Sequence, residues 1–162
     1  MSSWLRISRK GVNVAELRAD AHCVAVRVQV EPERAFRFLA DGMNQGYWAL
    51  GSWDRREVED GVFVGTSLFD GRELYVRPVP RPETLSVDFE TGRSAGELRH
   101  HAEARVVPSE ILGGERGSCV VSLTVWRSAD VDDDTWELLG HTFATEIHMI
   151  KGRLELEVPS RQ

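Results

Sequence analysis

No run of about 18 apolar residues occurs in this 162-residue chain, so no stretch is suited to cross a bilayer as a helix. The opening "MSSWLRISRKGVNVAEL" is basic but lacks the continuous apolar region of a secretory signal, and a cytoplasmic location is expected. Only two cysteines are present, Cys23 and Cys119, with no C-x-x-C or Cys/His metal spacing. Both read as reduced thiols. Lys and Arg number 20 against 26 Asp and Glu, which gives a net charge of −6. With no basic stripe to meet a phosphate backbone, nucleic acid is not an expected partner. G-x-S-x-G, the P-loop and G-x-G-x-x-G are all missing, which removes the common nucleophile and nucleotide signatures. "DVDDD" lacks the glycine and closing glutamate of a calcium loop and reads as a helix start. No repeat or low-complexity segment is visible.

What is present is an ordinary globular composition, 41% hydrophobic and 28% charged, with chain enough for one sizeable core. Residues 21–162 are expected to form a single domain behind an extension, 1–20, where "WLRI" and "VAEL" allow a short strand or a helical turn. "CVAVRVQV" (23–30) alternates cleanly, with Val24, Val26, Val28 and Val30 on one face. Pro32 to Gly42 reads as a short helix, and the glycine-rich and aromatic "NQGYWALGSW" (44–53) allows another turn. Asp60-Gly61 and Asp70-Gly71 mark tight turns between strand-like runs. The proline-punctuated "VPRPE" reads as a loop. "TLSVDFE", "ELRHHAEARVVP" and "SCVVSLTVWRS" alternate again, making seven strands in all, with short connections that favour antiparallel pairing. Asp133 to Glu157 reads as a helix of roughly 35 to 40 Å, opened by Asp134 and Glu137 at capping-box spacing. Its apolar stripe is Trp136, Leu139, Phe143, Ile147, Ile150 and Leu154.

This order resembles the SRPBCC superfamily, the START-like or helix-grip proteins. The likeness is carried by "VQVEPERAFRFLAD", "DGVFVGT", "LSVDFE" and the closing "TFATEIHMIKGRLE". The resemblance implies an α+β helix-grip fold: a seven-stranded curved antiparallel sheet wrapped around a long C-terminal helix, with short helices after the first strand. It also implies a cavity between sheet and helix, and functions that range over lipid or hormone binding, polyketide cyclisation or aromatisation, and co-chaperone action. In that topology the first and last strands are antiparallel neighbours. Cys23 and Cys119 each begin their strand, so they fall at opposite ends and beyond the roughly 7 Å a disulfide needs.

Candidate site residues follow from phase and character. His141 and His148 look like metal ligands, but seven residues part them by roughly 10 Å along the helix, and ligands must lie at about 2 Å from a metal. They fall on the polar side with Glu137 and Glu155, while Glu146 lies on another side, so a solvated pair is the better reading and neither metal nor cofactor is expected. His100 shares its strand face with Leu98, Ala102, Ala104 and Val106. A buried imidazole there needs a partner, which is a backbone group or water in a plain core, or a ligand oxygen in a binding site. The small Ala102 leaves room beside it. Thr66, in phase with Val62, Val64 and Leu68, adds a hydroxyl to the same interior or is a half-buried strand threonine. Trp48 and Trp53 suit a cavity mouth, or core packing beneath a loop. Phe143 and Ile147 supply the helix wall. The expected function is binding of a small hydrophobic or amphipathic molecule by His100, Thr66, Trp48, Trp53, Ala102, Phe143 and Ile147, with a homodimer left open. The alternatives are a polyketide cyclase or aromatase-like enzyme, and a co-chaperone-like protein-binding module.

Overall fold

A computed structural model describes residues 20–156. The expectations for residues 1–19 and for the helix end at Glu157 lie outside the described residues. Seven strands form one antiparallel sheet: β1 (Ala21–Val28), β2 (Trp53–Glu59), β3 (Val62–Thr66), β4 (Glu73–Arg81), β5 (Ser86–Gly92), β6 (Arg99–Pro108) and β7 (Cys119–Trp126). Their order across the sheet is β1-β7-β6-β5-β4-β3-β2, so the first and last strands are neighbours as expected. Helix α1 (Pro32–Ala40) and one 3₁₀ turn (Asn44–Tyr47) join β1 to β2, and α2 (Asp133–Glu155) closes the described chain.

Local chemistry accounts for these elements. Pro32 opens α1, where its missing N–H costs nothing. Gly61 takes φ +70 in the two-residue turn between Glu59 and Val62, a conformation that other residues resist. Asp132 caps α2 by accepting from the Thr135 N–H at 2.7 Å, two residues before the aspartate that the capping-box spacing suggested. Val28 pairs with Cys119 and Cys23 with Thr124, so the two free cysteines stand five residues apart along the ladder, about 16 Å.

One expectation is corrected. β4 continues through "VPR": Pro78 pairs with Phe89 and Pro80 with Val87, and the loop starts only after Arg81. The prolines fit because β3 reaches no further than Val76 along β4. Beyond that point β4 has one neighbour, and a residue without an N–H leaves no donor missing on the vacant side.

The core lies between the inner face of the sheet and the helices. Val28, Val87, Ala104, Val106, Val121 and Leu123 come from the strands; Leu39, Ile147, Ile150 and Leu154 come from the helices. α2 is fixed along β1. His22 stacks on Trp136 at 4.0 Å between ring centroids and bonds the Trp136 carbonyl at 3.0 Å. Lys151 Nζ donates to the Arg27 carbonyl at 2.7 Å.

Candidate functional site

The core does not fill the whole space. A cavity of about 430 Å³ lies between the sheet and the first half of α2. That is within the range of small-molecule sites. On the sheet side Val76, Phe89, Ala102 and Leu123 line it. On the helix side Thr135, Leu138, Leu139, Thr142, Phe143 and Glu146 recur at three- and four-residue steps, so one arc of α2 forms the wall. Trp48, Ala49, Gly51 and Ser52 close one end. Phe69 and Leu138 line the cavity and are also about half exposed, at 49% and 47%, so it opens to solvent between α2 and the β3–β4 loop.

Two β-bulges decide which polar groups reach this space. In β6, Phe89 opposes Ala102 but Glu90 opposes His100, so His101 is an extra residue. The insertion flips the phase on either side of it. His101 therefore lines the cavity, while His100 is exposed and lies against Trp126 at 5.1 Å between ring centroids. This corrects the placement of His100 on the inward face with Ala102. In β2, Trp53 opposes Thr66 and Arg56 opposes Val64, which leaves Asp54 and Arg55 against the single Gly65. Asp54 takes φ 49 in this bulge, and Arg55 turns inward and is buried at 8% exposure. Gly65 belongs there: a Cβ would come within 2.8 Å of the Ser52 backbone.

Arg55 is held on three sides. It donates to the Ser52 carbonyl at 3.1 Å, to the Gly42 carbonyl at 3.2 Å and to Gln45 Oε1. Burial lowers its pKa to about 9, opposed by the charge of Glu146, so it stays cationic at neutral pH. Glu146 is buried at 4% exposure and accepts from the Leu50 N–H at 2.7 Å. Burial raises its pKa to about 8, against the pull of the Leu50 and Gly51 amides and of Arg55. At pH 7 the carboxyl is mostly protonated and can donate. The cavity end also holds two buried polar atoms that have no hydrogen-bond partner among the described residues, Trp48 Nε1 and Ser52 Oγ. Trp48 stands edge-on to Phe89 at 6.1 Å between centroids. Burial lowers the His101 pKa, helped by His100 and opposed by Asp130.

Of the residues singled out from the sequence, the structure brings Trp48, Ala102 and Phe143 together on the cavity wall. Ile147 is buried in the core beneath it. Thr66 is exposed and shares the opposite sheet face with Val64, and its neighbour Ser67 lines the cavity instead. Trp53 pairs with Thr66 and is not part of the lining. His141 and His148 are exposed. Arg55, Glu146, Ser52 and His101 were missed. For Glu146 a signal existed: Leu138 and Leu139 extend the apolar arc of α2 toward its side.

The sheet order and the gripped helix define a helix-grip fold of the START-like kind. No family model and no curated protein matches the sequence. Among solved structures the chain is similar to the Zhui aromatase/cyclase from Streptomyces sp. R1128, with TM-score 0.59, 15% identity, and 83% of this chain and 92% of that one covered. It is similar to a START superfamily protein from Mycobacterium smegmatis, with TM-score 0.58, 12% identity, and coverage of 84% and 97%. The third is Aha1 from Colwellia psychrerythraea, a dimer, with TM-score 0.59, 13% identity, and coverage of 84% and 96%. At these identities the likeness is one of fold.

Proposed function

We propose that this protein binds a small amphipathic molecule in the cavity between the sheet and α2. The observation that carries this reading is the largely apolar cavity itself, about 430 Å³, with two orphaned polar atoms, Trp48 Nε1 and Ser52 Oγ, sealed just behind its wall in residues that line it. Each such atom costs about 1 to 3 kcal/mol when left unpaired. A ligand whose oxygen displaces the wall enough to accept from the indole and the hydroxyl would recover that cost while its apolar body fills the space. The protonated Glu146 adds a third donor at the same end, since the Leu50 amide ties its carboxyl to the 48–52 loop. Like the expected ligand sites Trp48, Ala102 and Phe143, these groups are assigned here as ligand contacts. A module that only binds proteins would have no need of a hollow interior.

The test is native mass spectrometry of the protein from its own host, paired with thermal shifts over a library of lipids and aromatics. A co-purifying small molecule is the expected result. Repeated absence, with no shift from any library member, counts against the reading. Trp48→Phe then weakens an oxygen-bearing ligand roughly five- to tenfold and leaves a hydrocarbon analogue unchanged.

Glu146 also favours a second reading, in which the bound molecule is turned over. A buried carboxyl with a pKa of about 8 is suited to general acid work near neutral pH. The aromatase/cyclase likeness is consistent with an enzyme, at the level of fold. Turnover of the bound molecule separates the two readings: a binder leaves it unchanged in wild type and Glu146→Gln alike, whereas an enzyme converts it and loses that turnover, but not binding, in Glu146→Gln.

A further inference from the structure

We infer that the mouth of the cavity receives an anionic group of the ligand, a carboxylate or a phosphate, between Arg93 and Arg99. The inference rests on the cavity being a ligand site. Phe89 and Thr91 point inward from β5, and Arg93 follows in the same phase just past the strand end. Thr91 pairs with Arg99 on β6, so Arg99 stands on the same side of the sheet. Arg127 continues the inward phase of Val125 beyond β7. Three arginines thus gather on the inner side, at one end of three adjacent strands, in a chain whose net charge is −6.

Arg127 is already committed. It donates to Asp133 at 2.6 Å and to the Val131 carbonyl at 2.9 Å, and lies 5.9 Å from the Trp136 ring centroid. Arg93 and Arg99 are exposed, and neither makes a hydrogen bond or an ion-pair contact with another described residue. Among the described residues the nearby carboxylates are Asp130, whose charge acts on the His101 imidazole, Asp70 on the rim, and Glu97, which accepts from the Ser94 hydroxyl at 3.3 Å. Asp70 is engaged by Arg72, through the Arg72 N–H at 3.1 Å and the guanidinium at 3.6 Å, and feels Arg93 only through its charge. Arg93, Arg99 and His100 line a hollow of about 500 Å³, in whose wall Asp130 is the one carboxylate among the described residues.

That hollow adjoins the cavity. The two share Leu74, Thr91, Arg93 and His101 as lining residues. Along α2, Thr135 marks the outer part of the cavity wall and Glu146 the inner end. They are eleven residues apart, about 16 Å. A ligand lying along the helix reaches from the basic mouth to Trp48 and Ser52. The planar forks of Arg93 and Arg99 suit bidentate contact with carboxylate or phosphate oxygens.

The test uses N-phenyl-1-naphthylamine, an uncharged fluorophore, to report cavity occupancy, and displaces it with dodecanol, dodecanoate or dodecyl phosphate at low salt. At least one anion is expected to displace it at roughly tenfold lower concentration than dodecanol, and the better of the two identifies the head group. The advantage shrinks as salt is raised. In Arg93→Gln/Arg99→Gln it disappears, while fluorophore and dodecanol affinities stay at wild-type values, which shows that the variant is folded. Anions no better than dodecanol, or an advantage that survives in the double variant, would overturn the inference. If neither the fluorophore nor any of the three amphiphiles binds the wild-type protein, the cavity reading fails and takes the anion site with it. Uncharged binding without anion preference removes the mouth site alone.

Discussion

Glu146 gives the protein a titration that its overall charge does not suggest. Its folded pKa is raised to about 8 from an ordinary 4.5, because burial penalises the carboxylate. The folded state therefore holds the proton more tightly than the unfolded chain. The associated stability is fully present below about pH 4.5 and is lost as pH rises through about 8. Denaturation midpoints measured across pH 5 to 9 should fall in the wild type and flatten in Glu146→Gln, which keeps an acceptor for the Leu50 N–H. Arg55 predicts a second effect. Replacing it with methionine leaves the Gly42 and Ser52 carbonyls and the Gln45 side chain without their donor. Urea unfolding should show a loss of about 2 to 4 kcal/mol. Neither residue stood out in the sequence. A charged residue on an amphipathic strand or helix usually faces solvent; nothing local to "DRREVE" marks Arg55 as the exception, and for Glu146 the only mark is the arc that Leu138 and Leu139 extend toward its side.

At the scale of elements, strand alternation and the stripe of α2 were legible, because each reports a regular period against one buried face. The seven strands, their antiparallel pairing and the gripped helix follow from that. The period fails where a strand carries an extra residue. One bulge exchanges His100 for His101, and the other brings Arg55 inward while Trp53 and Thr66 stay together away from the cavity. Counting by two cannot reveal an insertion, since either phase of "RHHAEA" satisfies the pattern locally. The bulge in β2 depends on Gly65, where an added Cβ would meet Ser52 Oγ at 2.4 Å and Ser52 backbone atoms at 2.8 Å. Gly65→Ala should destabilise by about 1 to 3 kcal/mol, visible as a lower denaturation midpoint. His100→Ala should change stability by about 0.5 kcal/mol or less, because the ring is exposed.

At the scale of the whole molecule, the open sheet has two edges among the described residues, β1 and β2. α2 guards β1, where Lys151 takes the Arg27 carbonyl and Glu155 accepts from the Gln29 N–H at 2.8 Å. β2 presents Arg56, Glu57 and Glu59 to solvent, and charges on an edge oppose pairing with a second sheet. Arg56→Thr/Glu59→Thr should raise self-association, read by sedimentation velocity. Any homodimer would then be built through another face. The unfilled cavity also links stability to occupancy. A ligand at a hundred times its Kd should add about 2.7 kcal/mol to the unfolding free energy.

The indole of Trp48 has one further consequence, which is optical. A tryptophan sealed among apolar groups with an idle N–H emits toward the blue, and an acceptor on that N–H moves its emission toward the red. The chain has five tryptophans, so the difference between wild type and Trp48→Phe isolates this one. An oxygen-bearing occupant should shift the difference spectrum, whereas a hydrocarbon of the same size should only change its intensity. The protein therefore carries its own dye, placed where it distinguishes a cavity that is merely full from one whose polar end has been answered.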